Sequence, residues 1–271
     1  MLKNTAKGFI TVKGRLERYE KSRNTTLYFE SITKEWAEDF KEFAKEIELD
    51  PNTCKKTIED FSTFLNHYFD DQRKHNIFLR ADYKTEKIKK VPGTHSSEPS
   101  PLYPDEIKQL MLFNTDKFEP VRYGDPETKT TIYVSPKAAH KVKHLFLLAC
   151  FTGLRFSDVL RLSKGSNQND HIVIRPTKTD KKNAKTLFIP LLKEARNILE
   201  SINYDISKIK LANPSANRAL TQLLKQAGIN TIVKEYSYNL NGERSEQDLP
   251  NKFDVVSFHS GRDTFITNSL I

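Results

Sequence analysis

Between residues 79 and 104 the chain carries a segment that no helix or sheet core can absorb. Lys84 to Lys90 is basic, and Pro92, Gly93, Ser96, Ser97, Pro99, Ser100, Pro101 and Pro104 then crowd together. Proline removes backbone donors and biases the preceding residue away from helix, so such a cluster reads as a semi-rigid linker. A chain of 271 residues interrupted in this way is expected to fold as two units. The boundaries read as 1–90 for a helical domain, 91–103 for the basic, Pro-rich linker and 104–271 for a second domain. Glycine is scarce, 9 in the whole chain, which disfavours turn-dense all-β folds. The expected fold class is mainly α with small β-hairpins.

The first domain reads as a set of helices. Phe9, Val12, Leu16 and Tyr19 recur at helical spacing in a basic segment running to about Lys21. Thr33 is a suitable N-cap for the stripe Trp36, Phe40, Phe43, Ala44 and Ile47. Asp50-Pro51 supplies a cap and a first-turn proline for a third helix through Ile58, Phe61, Leu65 and Tyr68. In the second domain Pro104 opens a helix, and residues 115–135 read as a hairpin around Gly124-Asp125-Pro126. Pro136 starts a helix whose later part, Leu145 to Cys150, is apolar on every side and so buried. His171–Ile174 and Thr186–Ile189 read as strands on either side of a basic turn. Residues 191–201 and 215–226 read as helices, the second stopped by Gly228. Ile232–Tyr238 and Phe253–Val256 read as strands, and a last helix from Ser257 is still running at Ile271, so the sequence reads as stopping in mid-element.

The charge pattern points to a partner. The chain has 44 basic and 35 acidic side chains, net +9, and the charge is blocky. Residues 1–23 hold seven basic against two acidic residues, 30–50 reverse this at three against eight, and 73–90 return to seven against two. Positive faces displace counterions from phosphate backbones, so nucleic acid is the first partner to consider, beside the plainer reading of solvated faces. Residues 1–30 lack an apolar signal core, and Leu145–Leu154 is far shorter than the roughly 18 residues needed to span a bilayer. Cys54 and Cys150 form neither a C-x-x-C pair nor a disulfide framework. A cytoplasmic protein with no membrane partner is expected.

Nucleotide-cradling glycine loops and the G-x-S-x-G elbow are absent. His140 and His144 are flanked by Lys141 and Lys143, which favours solvated helix histidines over a metal site. No metal or cofactor is expected. What remains is a set of cations. In Thr152-Gly153-Leu154-Arg155-Phe156-Ser157-Asp158, Gly153 ends the buried helix, Arg155 projects from the start of the next, and Asp158 one turn on is placed to hold its guanidinium. The plainer reading is an ordinary surface salt bridge. The turn Arg175 to Lys185 holds Lys178, Lys181, Lys182 and Lys185, able to reach a phosphodiester or simply to sit in solvent at a hairpin tip. His259-Ser260-Gly261-Arg262 puts a histidine and an arginine on one helix face, a pattern that chance supplies at about a third of a match in this composition.

Taken in order, T-G-L-R-x-S-D, a hairpin lysine in Thr177-Lys178-Thr179, and H-x-x-R resemble the tyrosine recombinase (phage integrase) family, and are similar to integrases of Bacteroidetes mobile elements. The resemblance covers nearly the whole chain and implies a core-binding domain at 1–90 and a catalytic domain at 104–271. It implies catalytic roles for Arg155, Lys178, His259 and Arg262, a supporting role for Asp158, and nucleic-acid contacts from Lys181, Lys182 and Lys185. It implies site-specific strand exchange on double-stranded DNA through a 3′-phosphotyrosyl link, without cofactor, by a homo-oligomer, a tetramer on two DNA sites when full length. The family's third box and its nucleophilic tyrosine lie beyond the second box, whereas only nine residues follow Arg262, and Tyr236 and Tyr238 precede that box. This chain is therefore expected to be truncated ahead of the nucleophile and inactive in covalent cleavage. Two other readings stay open: a type IB topoisomerase using a similar cation set, and a non-catalytic DNA-binding regulator on the same scaffold.

Overall fold

The computed structural model describes residues 3–69, 100–124, 131–168, 170–177, 185–204, 206, 209–233, 236–246 and 250–270. The linker up to residue 99, the hairpin turn 125–130 and most of the basic loop, 178–184, lie outside the described residues. The chain is mainly α with small antiparallel sheets. It divides into one unit of Met1–Ser97 with Glu235–Gln247 and another of Glu98–Lys234 with Asp248–Ile271.

In the first unit α1 (Lys3–Arg23), α2 (Lys34–Glu46) and α3 (Pro51–Phe69) pack together. Thr33 caps α2 by accepting from the Trp36 amide at 3.3 Å, and Asp50 caps α3 by accepting from the Thr53 amide at 2.9 Å. Their inward stripes bury Tyr19, Trp36, Phe40, Phe43, Ile58, Phe61 and Leu65 in one cluster, with Leu240 packed against it. The rings meet edge-on or tilted, Tyr19 to Phe43 at 5.6 Å and Trp36 to Phe61 at 5.3 Å, geometries that add to plain area burial. Arg23 closes the end of α1 on α2, with Nε 3.1 Å from Asp39 and Nη1 2.8 Å from Glu46. Ile47, expected on the stripe, lies just past the end of α2 and is exposed. Among the described residues of this unit, β6 (Tyr236–Tyr238) pairs with β7 (Arg244–Glu246).

The second unit is built around α5 (Pro136–Thr152), whose segment Leu145–Cys150 is wholly buried, as its all-round apolar sequence requires. Ser135 caps it and Pro136 takes its first position. Around it lie α4 (Pro104–Leu112), α7 (Lys193–Ser201), α8 (Asn213–Gln226) and α10 (Ser260–Asn268). Val121–Gly124 (β1) pairs with Thr131–Val134 (β2), and Asn167–Gln168 (β3), His171–Ile174 (β4) and Leu187–Pro190 (β5) form a three-stranded sheet in register His171 to Pro190. Gly228 follows α8 at φ +78°, the left-handed turn expected of it.

Two expectations fail here. Phe253–Val256 is not a strand: Lys252–Val255 forms a helical turn, α9, and Ile232 makes a single bridge to Asn251. Lys252 is buried, its Nζ 2.5 Å from Glu106 Oε2 and 4.5 Å above the Tyr103 ring, so a long-range ion pair sets the local conformation. The last helix ends at Asn268, with Ser269 as its C-cap.

His144 also departs from expectation. It is only partly exposed, its ring 4.3 Å from that of His140, whose Nδ1 lies 2.9 Å from Thr115 Oγ1. Burial pushes the His144 pKa down to about 4, with the charges of His140 and Lys143 adding. The unfolded ring takes its proton near pH 6.5 while the folded ring refuses it, so the stabilisation is complete above about 6.5 and is lost as pH falls toward 4. The expected size is on the order of 1–2 kcal/mol after allowance for partial exposure. Thermal melts of the protein and of His144→Asn at pH 7.5 and 5 should show a smaller acid-induced drop in Tm for the variant. An equal drop in both excludes this ring.

Candidate active site

The C-terminal turn of α5 places the first candidate. Gly153 caps the helix at φ +65°, its amide donating to the Ala149 carbonyl at 2.9 Å. That left-handed turn redirects the chain through buried Leu154, so that Arg155 stands at the N-cap of the short helix α6 (Phe156–Val159). Arg155 is partly exposed, and its side chain has no hydrogen bond or ion pair to other described residues. Among the described residues none consumes its five donors, which leaves the fork available to an anion.

The second box packs directly on the first. A Cβ on Gly261 would fall 2.9 Å from the Ala149 Cβ, so only glycine lets α10 approach α5 this closely. A Cβ on Gly153 would fall 2.7 Å from the Phe265 ring. Phe258, just ahead of His259, is buried between Phe146 at 5.6 Å and Phe156 at 4.7 Å, and Phe156 is the residue after Arg155. Thr264 ties α10 down further by accepting from the Leu102 amide at 2.9 Å. The result is direct: Arg262 Nη1 donates to the Gly153 carbonyl at 3.3 Å, two residues before Arg155. Arg155 and Arg262, 107 positions apart in sequence, thus serve one locality. His259 is exposed at the N-cap of α10.

Alanine at Gly153 must hold a left-handed backbone and displace the Phe265 ring. The expected loss is about 3 kcal/mol, or roughly 6–12 °C in the melting of this unit. Calorimetry of Gly153→Ala checks it, and an unchanged Tm contradicts the interlock.

Asp158 does not hold Arg155. It is 1% exposed, and its Oδ1 accepts from the Thr177 amide at 3.1 Å and from the Thr177 hydroxyl at 2.6 Å, with Arg161 Nη1 3.6 Å away. A buried carboxylate takes the donors that can be desolvated with it, and here these are the backbone amide and hydroxyl of Thr177, three residues past β4. Arg161 and Thr177 were not among the sequence candidates; an arginine three residues after the aspartate was the only available signal. Lys178, Lys181 and Lys182 lie outside the described residues, and Lys185 is exposed just before β5. Among the described residues no group of three or more His, Cys, Asp or Glu is arranged to hold a metal ion, and no helix is long and apolar enough to cross a membrane.

Residues 2–85 match the family model described as the phage integrase SAM-like domain. No curated protein matches the chain. Solved structures do. A lambda integrase dimer bound to a COC′ core site superposes with TM-score 0.61 at 13% identity, covering 98% of this chain and 79% of that one. A lambda integrase tetramer bound to a Holliday junction gives 0.60 at 12%, covering 98% and 64%. The Tn1549 transposon integrase in complex with circular intermediate DNA gives 0.55 at 16%, covering 100% and 82%. At such identities the likeness is one of fold, and the fold is that of DNA-bound integrases. The first unit matches a phage integrase SAM-like domain, and the fold of the chain is like that of these solved integrases.

Proposed function

We propose that this protein is a site-specific DNA recombinase acting by metal-free phosphodiester transesterification. In this reading 1–90 is the core-binding domain, 91–103 the linker and 104–271 the catalytic domain. The observation that carries it is the Arg262 contact to the Gly153 carbonyl, which brings the H-x-x-R helix to the turn bearing Arg155. A phosphodiester attacked by a phenolic oxygen gathers negative charge on its non-bridging oxygens. Arg155 and Arg262 clamp those oxygens with planar, permanently charged forks, a geometry lysine does not reproduce. Lys178 gives its proton to the leaving 5′ oxygen, and His259 hydrogen-bonds the phosphate or handles the nucleophile's proton. Lys181, Lys182 and Lys185 hold the flanking backbone. The covalent phosphotyrosyl link conserves bond energy, so strands reseal without a cofactor. Tyr236 and Tyr238 precede the second box, so neither is assigned the nucleophile's role in this reading. The assembly is a homo-oligomer on duplex DNA, a tetramer across two sites, in the cytoplasm.

Selection from a random duplex library tests this against a topoisomerase-like reading. The recombinase converges on one sequence, bound at least about tenfold more tightly than random duplex. A library that fails to converge points to sequence-indifferent binding and overturns the site-specific assignment.

A further inference from the structure

Thr177 sits at the centre of a small network that nothing in the clamp requires. Its hydroxyl donates to buried Asp158 at 2.6 Å and accepts from Arg161 Nη1 at 3.2 Å. Its amide donates to the same carboxylate at 3.1 Å, and Arg161 Nη1 also donates to the Arg175 carbonyl at 3.0 Å. Asp158 and Arg161 belong to α6 and the turn that follows it, the element that begins at Arg155. Thr177 is the residue immediately before Lys178.

We propose that Asp158, Thr177 and Arg161 form a latch that fixes the entry of the lysine loop to the arginine turn, making Thr177 and Arg161 positioning residues for the general acid. The proposal rests on the reading of Lys178 given above. The physical argument is one of reach. A lysine has a long, flexible stem, and a proton transfer in the transition state needs its nitrogen within hydrogen-bond distance of the leaving oxygen. Anchoring the residue just before it, by backbone and side chain together, removes the backbone part of that search. The threonine hydroxyl is suited to the task because it donates to the carboxylate and accepts from the guanidinium at once; valine, of the same shape, does neither.

The chemistry supplies a test that a purely structural role leaves unmoved. In cleavage the tyrosine oxygen gives up its proton, to His259 in the reading above, and forms a bond to phosphorus; the bond from phosphorus to the 5′ oxygen breaks, and Lys178 gives that oxygen a proton. If a sulfur replaces the 5′ bridging oxygen, the thiolate departs without a proton, and a misplaced acid no longer matters. The experiment measures single-turnover cleavage of oxygen and 5′-thio substrates by a form of the protein carrying its tyrosine. Lys178→Ala should lose about 10²–10⁴-fold on oxygen and recover on sulfur. Thr177→Val and Arg161→Ala should lose about tenfold or more on oxygen, recover to within about threefold of the parent protein on sulfur, and bind DNA with parental affinity. Thr177→Ser, which keeps the hydroxyl, should retain the parental oxygen rate. Lys178→Ala without recovery on sulfur defeats the general-acid reading itself. Recovery of Lys178→Ala but not of Thr177→Val, or a Thr177→Val that cleaves oxygen normally, defeats the latch alone.

Discussion

Arg155→Lys, in a form of the protein that carries its nucleophile, is expected to cut strand cleavage about 10²–10³-fold while duplex affinity changes less than about threefold. Both parts follow from geometry. Lysine keeps the positive charge, so the long-range attraction that dominates duplex affinity survives. It loses the planar pair of donors, which matters only when charge builds on two oxygens of one phosphate. Arg155 meets the condition for this argument, because no described residue occupies its donors. Single-turnover cleavage with an anisotropy titration on the same substrate separates the two effects. Parental cleavage by Arg155→Lys would remove this residue from the clamp.

The second large effect concerns the 271 residues themselves. Binding to duplex DNA should weaken about 10³–10⁵-fold between 50 and 200 mM salt, the signature of roughly 6–10 neutralised phosphates. Residues 1–23 with net +5, together with the lysines of the 178–185 loop, supply cations enough for that number. The same preparation should form no covalent adduct on a nicked suicide substrate, since neither Tyr236 nor Tyr238 stands in the nucleophile's place after the second box. A covalent complex that resists denaturant and yields to protease would assign the nucleophile to a tyrosine within these residues. A flat salt response would remove the phosphate backbone as the main partner.

Local chemistry carried much of the fold. Thr33, Asp50-Pro51, Pro104 and Ser135-Pro136 each start a helix because a side-chain oxygen or a missing amide proton suits the first turn. Gly153 could be read as a helix end because a left-handed residue there is most easily glycine. The misreadings share a different cause, a partner distant in sequence. Phe253–Val256 has the composition of a strand, yet the Lys252 pairing with Glu106 holds a helical turn. Asp158 lies at the right spacing for Arg155, but Thr177, nineteen residues on, takes its oxygen. The H-x-x-R box hid its most constrained member: Gly261 reads as a spacer until α10 is laid against Ala149.

The convergence of Arg155 and Arg262 is best tested by a crystal structure of the protein bound to duplex DNA with vanadate or sulfate at the cleavage position. Both guanidiniums should donate to oxygens of one tetrahedral or bipyramidal anion, each at about 2.7–3.2 Å. An anion held by one arginine, with the other turned to a different face of α5, would contradict the account.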